Sequence, residues 1–273
     1  MKIDNIIFSI SLFFYLLSLV LYGFYLFRKE NENMSVRKWG FPVLLGFCLH
    51  TFVVIRQTSS LIQLNSTHIF GVLVLLSWSL VGLTLLLQSR IRLRILLGII
   101  LVIVLTLGGL ALGLPRYFSK TIPSLNAFWF GTHIFLSLLG YAAFALALVS
   151  GILYLVLDRQ LKLKASRSVY RLPPLESLEW INFRSLWAGV VLLGLGLASG
   201  LFWAKWALIP LTFKDPKVIA AWVTWGIYGL ILYIRSTARW RGRKVAYLTM
   251  LGFSGILITF FIMNYFSKEH GFF

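Results

Sequence analysis

Long apolar stretches alternate with short segments rich in arginine and lysine along the whole chain. A helix needs roughly 20 apolar residues to cross the hydrocarbon core of a membrane, because every backbone amide must find its partner within the segment. Runs of sufficient length lie at about 5–27, 38–56, 68–88, 93–114, 127–157, 185–206, 218–235 and 245–266. The pattern predicts an all-α, polytopic integral membrane protein with about eight transmembrane helices.

Composition supports this assignment and excludes a soluble domain. Of the 273 residues, 59% are hydrophobic and 12% are charged, and the mean hydropathy is +0.86, a balance that soluble domains do not have. The first run is too long for a signal peptide and lacks a small-residue cleavage site, so we expect a retained span. We predict a single membrane domain over 1–273, with four helices in 1–114 and a second region over 125–273.

The basic residues are distributed unevenly between the two sides. A net charge of +18 would suggest a nucleic-acid partner for a soluble protein. Most of the basic residues, however, lie in alternate loops, at 28–38, 90–94, 159–184 and 235–244. Because cytoplasmic loops carry the excess of lysine and arginine, these loops are predicted to be cytoplasmic and both termini to lie on the outer side. We therefore expect a multi-pass protein of the bacterial cytoplasmic (inner) membrane that contacts the lipid bilayer and no nucleic acid.

With this topology all four histidines lie on the outer side of the membrane. They are His50, His68, His133 and His270. A histidine near a helix end is commonly an interfacial residue, and His50 within a span is either functional or a packing histidine bonded to a neighbouring helix. Two histidines on facing helices can also ligate a low-spin haem iron, and His133 with His270 is the simplest pair.

A tryptophan-rich segment, SGLFWAKWALIPLTFKDPKVIAAWVTW, joins the sixth and seventh runs on the same side. Its tryptophans are Trp203, Trp206, Trp222 and Trp225. Such residues are typical of the aromatic belt at any membrane interface. The charged turn of Asp215, Pro216 and Lys217 favours a second interpretation, in which flat aromatic side chains cover a porphyrin. The propionates of that porphyrin would then meet Lys214, Lys217 or Arg116.

No motif for another chemistry is present. The sequence has no GxxxxGK phosphate loop, no HExxH metal site and no GxSxG nucleophile, so we predict that the chain is not an enzyme. Cys48, the single cysteine, lies inside the second run, which excludes a disulfide framework, a thiolate cluster and a CxxCH site for covalent haem. The basic stretch RWRGRKVAY at 239–247 is a topology anchor, or else a contact for an acidic partner or lipid.

From about residue 125 to the C-terminus the chain resembles the cytochrome c assembly family, which contains the CcsA and CcmC haem-handling proteins. Its HemX-like and YpjD-like branch is the most similar. The matching segments are SLNAFWFGTHIFLSLLGYAAFALALVSGILYL, LPPLESLE, SGLFWA, DPKVIAAWVTWGIY and WRGRKVAYLTMLGF, followed by Asn264 and His270.

The resemblance implies a haem site on the outer face. In better-studied members a WGxxWxWD segment presents haem between two outer histidines, which match His133 and His270 here. Asp215, Pro216 and Lys217 match the acidic end of that motif, whereas ALIPLTFK replaces its central WGxxWxW. The flanking tryptophans Trp203, Trp206, Trp222 and Trp225 remain as candidate haem contacts, and His50 is a further candidate.

Two functions follow as hypotheses. The first is a haem-binding or haem-handling membrane protein of cytochrome c biogenesis, which holds non-covalent, b-type haem and works with a ResB-like or other assembly protein. The second, implied by the HemX-like branch, is a membrane regulator that lowers the level of glutamyl-tRNA reductase through its cytoplasmic loops. The two are compatible, and a purely structural scaffold is a third hypothesis.

Overall fold

The computed structural model describes residues 2–27, 37–64, 69–88, 94–114, 127–163, 173–206, 216–238 and 240–266. These residues form eight α-helices and, within those ranges, no strand. The helices are α1 (Lys2–Phe27), α2 (Arg37–Leu64), α3 (Ile69–Gln88), α4 (Arg94–Gly113), α5 (Ala127–Lys162), α6 (Leu175–Trp206), α7 (Pro216–Thr237) and α8 (Arg243–Phe266). Helices α1 to α7 each contain a described segment long and apolar enough to cross a membrane. The predicted all-α, multi-pass membrane protein is confirmed.

Helix α6 begins earlier than the apolar pattern predicts. The run at 185–206 suggested a start near residue 185, but the helix begins at Leu175, directly after Pro173 and Pro174. Proline cannot continue a helix from within but is tolerated just before or at its first turn. Polar residues such as Glu179 therefore extend α6 beyond the apolar run instead of forming a loop.

The helices form two four-helix bundles, α1–α4 and α5–α8. Within each bundle every helix packs against the next, and the fourth closes back on the first. Helix α5 also packs against α3 and, less extensively, against α2, so it joins the two bundles. The division of the chain at 1–114 and 125–273 stays a prediction.

Helices α5 and α6 form the most extensive interface of the protein. They run antiparallel, and residues three or four apart on α5 face residues with the same spacing on α6. The facing pairs are His133 with Gly200, Ser137 with Gly196, Gly140 with Leu193, and Phe144 with Gly189. A Cβ added to Gly140 would lie 2.9 Å from the backbone nitrogen of Leu193. Glycine therefore allows the two backbones to approach this closely, as small residues do in membrane helix pairs.

The two ends of the second bundle differ in chemistry. Because α5 and α6 run antiparallel, the start of α5 lies beside the end of α6. The positive-inside rule predicts that this end of the bundle is extracytoplasmic, and we call it the outer end. At the opposite, inner end the Arg235 guanidinium lies 3.3 Å from Glu179 Oε1 and 4.3 Å from the Phe183 ring centroid. Arg243 of α8 also pairs with Asp158 of α5. Charged contacts therefore connect α7 to α6 and α8 to α5 at this end.

Candidate functional site

His133 lies in the second turn of α5, half-buried against α6. Its Nδ1 lies 2.7 Å from the carbonyl oxygen of Gly196. A carbonyl can only accept, so Nδ1 carries the proton and donates it. A neutral imidazole has a single N–H, and Nε2 is therefore the nitrogen that keeps its lone pair.

This arrangement fits a metal-ligating histidine. Such histidines usually donate their other ring N–H to a carboxylate, a backbone carbonyl or water, which fixes the tautomer and the ring orientation. Here the acceptor is the carbonyl of Gly196, which lies within the regular helix α6 and not in a loop. His133 is thus chemically suited to be one axial ligand of a haem iron.

Aromatic side chains from α5 and α6 lie one turn outward from His133. The rings of Phe130 and Trp203 are 4.9 Å apart between centroids. Trp129 and Phe202 stack with centroids 5.4 Å apart and an angle of 30° between their planes. Among the predicted tryptophans whose side chains the structure describes, Trp203 is therefore the one that lies next to His133, on the side of α6 that faces α5.

Trp222 and Trp225 lie on the other side of α6 from His133. The Trp225 indole N–H donates to the backbone carbonyl of Val190, and a Cβ on Gly194 would lie 2.8 Å from that indole nitrogen. Trp222 packs edge-on against Trp225, with ring centroids 5.8 Å apart. Two positions along an α-helix correspond to a rotation of about 200°. Gly194 and Gly196 therefore face opposite sides of α6, and this helix separates the Trp222–Trp225 pair from His133.

His50 is enclosed in the first bundle with both ring nitrogens occupied. Its Nε2 lies 3.1 Å from the carbonyl oxygen of Val74 and its Nδ1 lies 3.2 Å from the Tyr15 hydroxyl. The carbonyl requires the proton on Nε2, so Nδ1 accepts from the Tyr15 O–H. The side chain is fully buried, with the Phe8 ring 5.0 Å away. This geometry favours the packing histidine of the two alternatives, and haem binding by His50 stays a prediction.

Several predicted site residues lie outside the described part of the chain. They are His68, Arg116, Lys214, Asp215 and His270, together with the side chains of Trp206 and Lys217. Their roles therefore stay predictions from the sequence.

Three residues near His133 were not singled out from the sequence. Gly196 and Gly200 contact its ring, and the Ser199 hydroxyl donates to the same Gly196 carbonyl across 2.8 Å. The four-residue spacing of two glycines in an apolar helix is a known signal of close helix packing. It would have predicted that this face of α6 meets another helix, but not that the other helix presents a histidine.

Comparison with known proteins extends the resemblance towards the N-terminus, beyond residue 125. The profile of the family described as cytochrome C assembly protein matches residues 66–270, which adds α3 and α4 to the region resembling that family. The chain is 27% identical to the cytochrome c biogenesis protein CcsA of Guillardia theta, over 93% of this chain and 90% of the relative. It is 28% identical to the protein HemX of Brevibacillus brevis, over 93% of both chains.

A third relative matches a shorter region. The cytochrome c biogenesis protein CcsA of Prochlorococcus marinus (strain MIT 9215) is 30% identical over 54% of each chain. The family profile covers about three quarters of the present sequence, including all of α5, α6 and α7. The chain therefore belongs to the cytochrome c assembly protein family, whose members act in cytochrome c biogenesis or haem handling.

Proposed function

We propose that this protein holds haem at the outer end of its second bundle during cytochrome c biogenesis, with His133 as one axial ligand. The observation that carries the proposal is the 2.7 Å contact between His133 Nδ1 and the Gly196 carbonyl, which leaves Nε2 as the nitrogen with a lone pair. Family membership supports haem as the group concerned. When bound, haem would supply an iron that such nitrogens can coordinate.

The protein's own residues have separate tasks in this proposal. His133 binds, and the Gly196 carbonyl orients it. Trp203 and Phe130 cover the outer side of the site with apolar surface and exclude water from it. The match to the family assigns the second axial position to His270. The surrounding contacts are proposed to come from Trp206, Asp215 and Lys217. Trp222 and Trp225, which lie across α6 from His133, are not assigned to the haem site in this proposal.

Haem is held without a covalent bond in this proposal, as a b-type group. Cys48, the single cysteine of the sequence, lies on an exposed face of α2, in the first bundle. The chain holds or delivers haem and forms no thioether itself, and a ResB-like or other assembly protein is the proposed partner. The proposed location is the bacterial cytoplasmic (inner) membrane, with the haem site on its outer face.

A second function concerns the inner end and rests on the similarity to HemX over 93% of both chains. In this alternative the protein lowers the level of glutamyl-tRNA reductase. Arg241 and Lys244 are exposed there, and the Lys244 ammonium lies 4.9 Å from the centre of the Trp240 ring. Arg243 is engaged by Asp158 within the chain. Arg241 and Lys244 are therefore the cations proposed to meet an acidic partner.

An absorption spectrum of the protein purified in detergent tests the first function. We compare the oxidised and dithionite-reduced wild type with His133→Ala, His270→Ala and the double variant. Gly131→Ala is the matched control, because a Cβ at Gly131 meets no atom within 4 Å although it lies two residues from His133.

We expect a sharp low-spin b-type band in the wild type and in Gly131→Ala. That band should be lost when either histidine is replaced, and external imidazole should restore part of it in His133→Gly. A wild type that stays colourless after haem is added would refute the proposal. A normal spectrum in His133→Ala would exclude this residue as a ligand.

The second function makes a separate prediction. If the inner end acts on glutamyl-tRNA reductase, Arg241→Gln with Lys244→Gln should raise the level of that enzyme in cells, while His133→Ala should not. An unchanged enzyme level in the Arg241→Gln, Lys244→Gln variant would refute this second function. Arg243→Gln serves as the comparison, since it removes one charge from the same end at a residue already paired with Asp158.

A further inference from the structure

Two glycines of α6, one turn apart, form the surface against which His133 rests. A Cβ on Gly200 would lie 2.6 Å from His133 Nδ1 and 3.0 Å from its Cε1. A Cβ on Gly196 would lie 2.5 Å from Ser137 Oγ and 2.9 Å from the Ser137 backbone nitrogen. Any side chain at position 200 would therefore occupy the space of the imidazole. A side chain at position 196 would instead push α5 away.

The same turn supplies the acceptor that determines which nitrogen of His133 is protonated. The carbonyl of Gly196 accepts from His133 Nδ1 at 2.7 Å and from Ser199 Oγ at 2.8 Å. Because Gly196 lies inside a continuous helix, its carbonyl direction is set by the helix axis and not by a loop. The imidazole consequently meets a fixed acceptor on one edge and a flat, side-chain-free surface beside it.

Close packing of α5 and α6 alone would explain a glycine at each of these positions, as it does elsewhere along the interface. At Gly189 the neighbouring group is the Phe144 ring, and at Gly140 it is the Leu193 backbone. Position 200 differs because the neighbouring group is the protonated nitrogen of an ionisable ring. A methyl group there would displace the nitrogen that bonds to Gly196, and this consequence is chemical as well as steric.

We propose that Gly196 and Gly200 are positioning residues, which fix the ring orientation and the tautomer of His133 so that Nε2 is the nitrogen available for ligation. The proposal rests on the proposed function for the identity of the bound group. The tautomer follows from the contact of His133 Nδ1 with the Gly196 carbonyl and can be measured without haem. Neither glycine touches the iron, and both act through His133.

The first experiment uses haem-free, full-length protein in detergent, with 15N-labelled histidine, at a pH that keeps imidazole neutral. NMR identifies which ring nitrogen is protonated, and the His133 signal is assigned by its absence from His133→Gln. We expect the Nδ1-protonated form in the wild type and in the control Gly131→Ala. In Gly200→Ala we expect a mixture of tautomers or the Nε2-protonated form.

An Nε2-protonated His133 in the wild type would overturn the proposal, and so would an unchanged signal in Gly200→Ala. If Gly200→Ala does not fold, the wild-type measurement still tests the Gly196 carbonyl as the group that sets the tautomer.

The second experiment is a haem titration of the same variants. Loss of a group that orients a metal ligand typically lowers affinity by about 10- to 100-fold, so we expect about tenfold or more for Gly200→Ala. Gly189→Ala is the matched control, because its Cβ would meet the Phe144 ring on the same helix pair, away from His133. It should lower thermal stability and leave haem affinity near that of the wild type.

Equal losses of affinity in the two alanine variants would show that helix packing alone is responsible, and would overturn the positioning role. A wild type that binds no haem would refute the proposed function instead. In that case the tautomer measurement would still support or overturn the positioning of His133.

Discussion

His133 donates from Nδ1 to the carbonyl of Gly196 across 2.7 Å and thereby commits one ring nitrogen to a neighbouring helix. His50 commits both of its nitrogens, one to Val74 and one to Tyr15. The sequence places both histidines in the same half of the membrane. They differ by one hydrogen bond, because both ring nitrogens of His50 are bonded and only Nδ1 of His133 is. A ring with one free lone pair can bind a metal, whereas a ring with none supports packing.

The His50 contacts lead to the first prediction. Tyr15→Phe should destabilise the protein by about 1 kcal/mol, since it removes the donor to His50 Nδ1. His50→Leu should cost more, roughly 1–3 kcal/mol, because it leaves the buried Tyr15 hydroxyl without its acceptor. Denaturant-induced unfolding of the detergent-solubilised protein measures both effects. The haem spectrum should be unchanged in each variant.

A double variant distinguishes a direct bond from independent packing. If the two side chains interact as described, the losses in Tyr15→Phe and His50→Leu should not add, because the second change removes a bond that is already broken. Additive losses, or loss of haem in His50→Leu alone, would contradict the packing role of His50.

The second prediction concerns the interface of α5 and α6. Gly140→Ala should destabilise the protein by about 1–3 kcal/mol, because the added methyl group would press on the Leu193 backbone and overpack a close contact. Thermal unfolding followed by circular dichroism measures the loss. Gly226→Ala in α7 is the control, since its Cβ meets no atom within 4 Å. Equal stability of the two variants would mean that α5 and α6 are less closely packed than described.

The sequence could predict the helices but not which of their faces meet. Bilayer thickness fixes the length of a span, so the eight helices follow from the apolar runs. These helices are apolar nearly all round, and amphipathic periodicity therefore cannot show which face of a helix meets a neighbour. Trp225 illustrates this, because its place within the apolar run of α7 was predictable while its place on the far side of α6 from His133 was not.

The start of α6 and the partner of His133 were unpredictable for related reasons. The polar residues before residue 185 are typical of a loop by sequence, although Glu179 pairs with Arg235 of another helix. The acceptor for His133 is a backbone carbonyl, which every residue possesses and which the sequence cannot distinguish. Only the packing of α5 against Gly196 selects it.

The inner end gives the third prediction. The side chains of Arg235 and Glu179 are 11% and 24% exposed, so the pair is largely removed from water. Breaking a buried pair from one side leaves an uncompensated charge and costs roughly 3–5 kcal/mol, and partial exposure should bring Glu179→Gln towards the lower end. Arg235→Met with Glu179→Gln should recover part of the loss, because no unpaired charge remains.

A surface pair provides the comparison for that measurement. The Arg243 side chain, which is 46% exposed, contacts Asp158 at the same end of the bundle. Arg243→Gln should therefore cost only about 0–1 kcal/mol in denaturant unfolding. A larger loss in Arg243→Gln than in Glu179→Gln would contradict the assignment of the buried pair as the stronger one.

The last prediction separates the two groups of tryptophans. Trp203 contacts Phe130 on the side of α6 that holds His133, whereas Trp225 bonds to Val190 on the opposite side. Trp203→Leu should alter the haem spectrum or lower haem affinity, since it removes apolar cover next to the ligand. Trp225→Leu should instead destabilise the protein by about 3 kcal/mol, because a large aromatic side chain and its hydrogen bond are lost together. Haem titration and thermal unfolding of both variants test this division. If Trp225→Leu lowered haem affinity as much as Trp203→Leu at equal stability, the haem site would have to include both faces of α6, and the arrangement with His133 on one face would be wrong.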